Sequence, residues 1–223
     1  MIATPLASPK DTPGTRSDAI RVFFRHLSPR VLATFALVAW AARIPLGNFG
    51  AADVLALALM IAVWPLQEWC IHVFILHSKP FRLGGRTFHL ANARKHAAHH
   101  RDPWNLGIIF IPMYTVLPAG LLHLVLWNAL LPTPLAFTVI AGYFTASLHY
   151  EWVHYLAHVR WRPTLGHYQV LVDSHRRHHF KNESQWWGVS MLMGDRLLGT
   201  APSVKDVAPS KTVRTLGLDA TSA

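Results

Sequence analysis

Residues 51–77 read AADVLALALMIAVWPLQEWCIHVFILH. From Ala51 to Leu76 the only charged side chains are Asp53, at the start, and Glu68. A helix that crosses a bilayer needs about 20 mostly apolar residues. This stretch therefore predicts a spanning helix, with Pro65 as a kink. It closes on His72 and His77, and imidazole is a ligand for iron, zinc, copper and nickel. One segment thus joins a membrane span to groups able to hold a metal.

Outward from it, three more spans are predicted. The first runs over about 31–46, with Arg43 near its end, where a long cationic side chain can snorkel to the interface. The third covers 106–131 and has no formal charge. The fourth begins near Pro134 and extends to about 157. Apolar residues make up 52% of the chain and charged ones only 14%, a balance that suits contact with lipid. The formal net charge of +10 fits nucleic acid or an anionic membrane surface. The basic residues flank the apolar stretches and form no single patch, which favours the membrane and argues against nucleic acid.

The connections at 47–51 and 131–134 are short and uncharged. The basic residues fall in the other connections: Arg21, Arg25 and Arg30 before the first span, Lys79, Arg82, Arg86, Arg94, Lys95 and Arg101 in the middle loop, and Arg160, Arg162, Arg176, Arg177, Lys181 and Arg196 after the fourth. The positive-inside rule then puts both termini and the middle loop in the cytoplasm. The expected fold is an all-α membrane protein, four transmembrane helices as two hairpins under a cytoplasmic histidine-rich cap. Residues 1–18 and 204–223 read as disordered tails around a domain of 19–203, and no cleavable signal peptide is expected. Cys70 is the sole cysteine, so no intramolecular disulfide forms, and it reads as a small buried residue.

Fifteen histidines are present, and they are grouped. His72 and His77 form H-x4-H. His96, His99 and His100 form H-x2-H-H, a pattern repeated by His175, His178 and His179. His154 and His158 form H-x3-H. The topology places all four groups on the cytoplasmic side. Positions three and four apart share a helical face, so each triplet is expected to aim at one point, as are His154 and His158. The five-residue step from His72 to His77 fits one face less well; it spans a distorted turn or reaches two different metals. Ten imidazoles exceed what one ion takes, so two ions fit the count.

This pattern resembles the fatty acid hydroxylase and sterol desaturase superfamily of integral-membrane di-iron enzymes, over roughly 65–200. The stretch from Gly194 to Thr200, GDRLLGT, resembles the segment after the last histidine group there. The resemblance implies the ten histidines as metal ligands, two iron ions, with zinc able to load in purified protein, and O2 as co-substrate. It implies hydroxylation of a fatty acyl, sterol or related lipid, with desaturation at the same site as the alternative. Some relatives carry a cytochrome b5 domain; its absence here implies a separate electron donor, a cytochrome b5-like protein or a ferredoxin with its reductase.

Other polar residues near the groups carry two readings. Glu68 and Glu151 each share a helical face with a ligand and serve either to orient it or to pair with a nearby base. Asp173 is read as a helix cap. His89 and His149 are read as hydrogen-bond partners before extra ligands, and His123 as a packing residue inside a span. A non-enzymatic haem or metal protein is the rival class, since imidazoles also bind haem axially. Metal transport would need ligands near the bilayer midplane, and a metal-dependent hydrolase would need no O2.

Overall fold

The computed structural model describes residues 6–218. Its helices are α1 (Arg16–Phe23), α2 (Leu27–Arg43), α3 (Ala51–Cys70), α4 (Ala91–Arg101), α5 (Leu106–Ile109), α6 (Met113–Leu130), α7 (Thr133–Ala157), α8 (Gly166–Phe180) and α9 (Met193–Leu197). α3 continues without a break as a π-helix over Ile71–Leu76. The all-α expectation misses one element, an antiparallel hairpin of β1 (Phe81–Leu83) and β2 (Arg86–Phe88). Its turn is Gly84-Gly85, both at positive φ, a conformation glycine adopts without steric cost.

Among the described residues, three helices are long and apolar enough to cross a membrane: Leu27–Leu46, Ala51–Leu76 and Leu106–Leu130. The chain is thus a mostly helical membrane protein. The third stretch is not continuous, because the helix breaks at Phe110–Pro112 between α5 and α6. Pro112 disfavours the helical region for the residue before it. α7 forms over the fourth expected span and has 25 residues. It is not among those three; its second half carries His149, Glu151 and His154.

Two compact units divide the chain. One comprises residues 20–64 and 110–152. Its core packs Leu32, Ala36 and Ala39 of α2 with Val116 of α6 and Ile140, Ala141 and Phe144 of α7. Outside that seam the helices show apolar side chains to the surroundings, such as Leu37, Leu59, Leu121 and Val125, as lipid-facing helices do. Arg43 does not snorkel as expected. It is buried, and its guanidinium pairs with Asp53 at 2.9 Å and donates to Gly47 O at 2.7 Å. Thr138 joins the same carboxylate. A charge away from water is stable only when paired, and Asp53 lies one tight turn away.

The other unit holds residues 6–19, 65–109 and 153–218, and with them the histidine groups. The ends of the chain, read from sequence as tails, make defined contacts here. Ala7 N donates to Asp102 at 3.0 Å, Arg160 N to Thr12 Oγ1 at 2.9 Å and Trp161 N to Pro13 O at 2.8 Å. Ser210 N donates to Lys181 O at 2.7 Å. Backbone groups paired at long range leave little composition signal, which is why the ends read as free. The remainder of both tails lies outside the described residues.

Gly194 opens α9 against α3. A Cβ there would collide with the Pro65 carbonyl and lie 3.2 Å from the Trp69 Cβ. Backbone cannot yield as a side-chain tip can. Gly194→Ala is expected to destabilise the protein by about 1–3 kcal/mol, read as a lower thermal midpoint in detergent.

Candidate metal centre

The ten predicted histidines come together as two groups of five. The first is His72, His77, His96, His100 and His178; the second is His99, His154, His158, His175 and His179. In each, one nitrogen per ring lies within 4.8 Å of all the others.

The π-helix explains the awkward H-x4-H step. His77 N donates to His72 O at 3.1 Å, an i to i+5 bond. The wider turn brings residues five apart onto one face, so both imidazoles enter the same group. Single π-turns of this kind mark functional sites.

The expectation that each H-x2-H-H triplet aims at one point is corrected. α4 sends His96 and His100 to the first group and His99 to the second. α8 sends His178 to the first and His175 and His179 to the second. Neighbours on a helix diverge by about 100°, and positions four apart align best. A helix lying between two centres therefore serves both. His154 and His158 do share one group, as expected.

Hydrogen bonding in the first group sets which nitrogen faces inward. His72 Nδ1 lies 2.6 Å from Trp187 O, His100 Nδ1 3.0 Å from Val213 O and His178 Nδ1 2.9 Å from Gln185 O. A carbonyl only accepts, so each Nδ1 carries the proton. Each Nε2 is then a bare lone pair in the neutral ring. Yet His178 Nε2 stands 3.2 Å from His100 Nε2 and 3.2 Å from His77 Nε2, and His96 Nε2 stands 3.1 Å from His100 Nε2. Lone pairs facing each other repel unless a cation lies among them. Two nitrogens bound at right angles to one ion at about 2.1 Å would stand about 3 Å apart.

The second group carries the same signature in another form. His154 Nε2 and His99 Nε2 are 3.1 Å apart. His175 and His179 are fully buried, and neither nitrogen of either ring has a hydrogen-bond partner. Orphaned buried polar atoms are costly, and a bound ion satisfies them. An all-imidazole set suits a transition metal and not magnesium or calcium. Both groups thus fit a metal site.

Burial pushes the imidazoles away from protonation. His100 is driven down to about 3 by burial, against the Val213 carbonyl, which favours its charged form. His178 and His179 lie well below their ordinary value, first from burial and then from neighbouring imidazoles. The unfolded chain takes up protons below about pH 6.5 that these folded rings refuse. Each such ring therefore costs about 1.4 kcal/mol of stability per pH unit as pH falls below that point, until its folded pKa is reached. Metal-free protein is expected to lose stability steeply between about pH 7 and 5, followed by tryptophan fluorescence in detergent. Bound metal should blunt the loss. A stability that stayed flat over that range would contradict the buried, neutral assignment.

The surrounding polar groups act on loops. Glu68, read either as orienting His72 or as pairing with a nearby base, accepts from Val189 N, from Ser190 N at 2.9 Å and from Ser190 Oγ. Asp195 accepts from Trp187 N at 2.9 Å, Gly188 N at 2.6 Å and Thr200 Oγ1 at 2.6 Å. The two carboxylates clamp the loop 185–190, which supplies the carbonyls for His178 and His72. Glu151 accepts from Ser28 Oγ at 2.6 Å and from Ile111 N at 2.8 Å, tying down the break before α6. Asp173 is no cap; it lies inside α8 and pairs with Arg162 at the surface, 2.6 Å away. His89 and His149 fall in neither group. His123 stacks on Tyr143 and accepts from Trp127 Nε1 at 2.9 Å, a packing role. Cys70 is half-buried and free. The carbonyls of 185, 187 and 213 escape sequence reading, because a carbonyl acceptor leaves no mark in residue type.

Helical spans with two buried imidazole groups fit a membrane protein with a metal site, and a family follows from the comparison with known sequences. The fatty acid hydroxylase family matches residues 57–200, and the chain belongs to it. A dihydroceramide fatty acyl 2-hydroxylase of Arabidopsis thaliana is 28% identical over 69% of this chain and 63% of its own length. A fatty acid 2-hydroxylase of Macaca fascicularis is 30% identical over 61% of this chain and 37% of its own. The chain therefore spans less than two thirds of either relative. Among solved structures, full-length scs7p, with only its hydroxylase domain visible, matches with a TM-score of 0.66 and 22% identity, over 82% of this chain and 68% of that one. That likeness shows the fold.

Proposed function

We propose that the protein hydroxylates a fatty acyl chain of a membrane lipid, using two iron ions, one in each histidine group, and O2. The observation that carries the reading is the pair of five-imidazole groups whose nitrogens face one another with no donor between them. Iron bound there would supply the oxidising power to cleave a C–H bond and deliver oxygen from O2 to the carbon. The relatives' names, fatty acyl and fatty acid 2-hydroxylases, support a fatty acyl substrate with C2 as the carbon oxidised.

The chain's own residues supply position and dryness. The imidazoles are held neutral by burial, and the carbonyls of Trp187, Gln185 and Val213 fix three of them with Nε2 inward. The apolar helices leave the acyl chain a route from the bilayer. α7 serves as the fourth span, and the basic connections favour a cytoplasmic side for the metal groups, within reach of an electron donor.

The test is expression in a lipid-producing host with isotopically labelled O2. Hydroxylated acyl lipid carrying the label is expected. An alkene without added oxygen would replace hydroxylation by desaturation. Unlabelled product that forms equally without O2 would overturn the reading in favour of a hydrolase.

A further inference from the structure

We infer that residues 208–218 form a strap that completes the first histidine group and sets how tightly it holds its ion, an inference that rests on the metal reading above. The strap is tied down along its length. Ala208 O accepts from Asn182 Nδ2 at 3.2 Å, and Ser210 N donates to Lys181 O at 2.7 Å. Thr212 Oγ1 donates to Glu183 at 2.5 Å. Arg214 donates to His100 O at 3.3 Å, with its guanidinium 4.7 Å above the Phe180 ring. Leu216 is buried, and its carbonyl accepts from Lys79 Nζ.

Between these ties the Val213 carbonyl meets His100 Nδ1 at 3.0 Å. That bond selects the tautomer with Nε2 bare and holds the ring toward His96 and His178. An imidazole so held is a better ligand, and losing such a partner typically weakens metal binding about 10–100-fold. In the second group the Ile109 carbonyl meets His154, while among the described residues the ring nitrogens of His175 and His179 have no hydrogen-bond partner. The strap lies beyond residues 57–200, the region matched by the family. The first group is therefore finished by a segment that the family match does not reach.

The experiment compares the full chain with a chain ending at Val207, both purified in detergent. Metal per chain is measured by elemental mass spectrometry, and release to a chelator is followed in time. The full chain should hold about two ions. The shortened chain should release one of them about 10–100-fold faster and the other at the original rate. A Lys79→Met, Thr212→Val double variant cuts two ties while keeping every imidazole, and it decides the matter if the shortened chain fails to fold. In a His175→Ala background, which weakens the second group, the ion still bound should be the strap-sensitive one. Folded variants that release both ions at the full chain's rates would overturn the strap. A full chain that binds no metal would instead overturn the metal reading.

Discussion

On the proposed function, His178→Ala is expected to abolish one metal site and lower hydroxylation by more than about 100-fold, the upper range for losing a mere orienting partner. His178 Nε2 stands 3.2 Å from both His77 and His100, so it is central to the first group. Its removal takes away one imidazole of the group and one of the rings packed on His72, 4.5 Å away between ring centres. The second group receives nothing from His178 and should keep its ion. Metal content near one ion per chain, with helical content unchanged, is the expected result. Zinc in place of iron would still report the site, because such sites load what is available. Two ions retained in folded His178→Ala protein would remove His178 from the ligand set.

Glu68→Ala carries the second large effect. The Glu68 carboxylate satisfies Val189 N, Ser190 N and Ser190 Oγ in a buried setting. Alanine leaves two buried N–H groups without an acceptor, each costing about 1–3 kcal/mol. Folding stability should fall by about 2–6 kcal/mol. The damage should reach the metal as well, because Val189 and Ser190 lie two and three residues after Trp187, whose carbonyl holds His72. The expected readouts are a lower thermal midpoint and metal affinity weakened about 10–100-fold. Glu68→Gln keeps one acceptor oxygen and should recover part of both. Equal loss in the two variants would mean that charge matters there, not hydrogen bonding to the loop.

Much of the site is legible along the chain because its signals are local. A run of apolar residues as long as Ala51–Leu76 has few uses besides crossing a bilayer, and histidines spaced three and four apart mark a ligand face. All ten imidazoles named from spacing do converge. Two centres follow from the count of ten, but which imidazole joins which centre was not legible. It depends on where α4 and α8 lie between the two groups, and on a π-turn that local sequence does not announce. Arg43 was read as snorkelling for a similar reason: its partner Asp53 sits across a turn, and only the closed hairpin puts the two at 2.9 Å.

The sequence by itself determined the class of molecule: a membrane protein of apolar helices bearing ten clustered imidazoles, within one family. Those features follow from side-chain chemistry at short spacing, which any fold must respect. Only the tertiary structure decided which imidazoles share a centre, which nitrogen of His72, His100 and His178 points inward, and that Glu68 and Asp195 act through the loop 185–190. Those outcomes rest on backbone carbonyls and long-range contacts. Every residue carries a carbonyl, so its place in space, and not its residue type, makes Val213 the partner of His100.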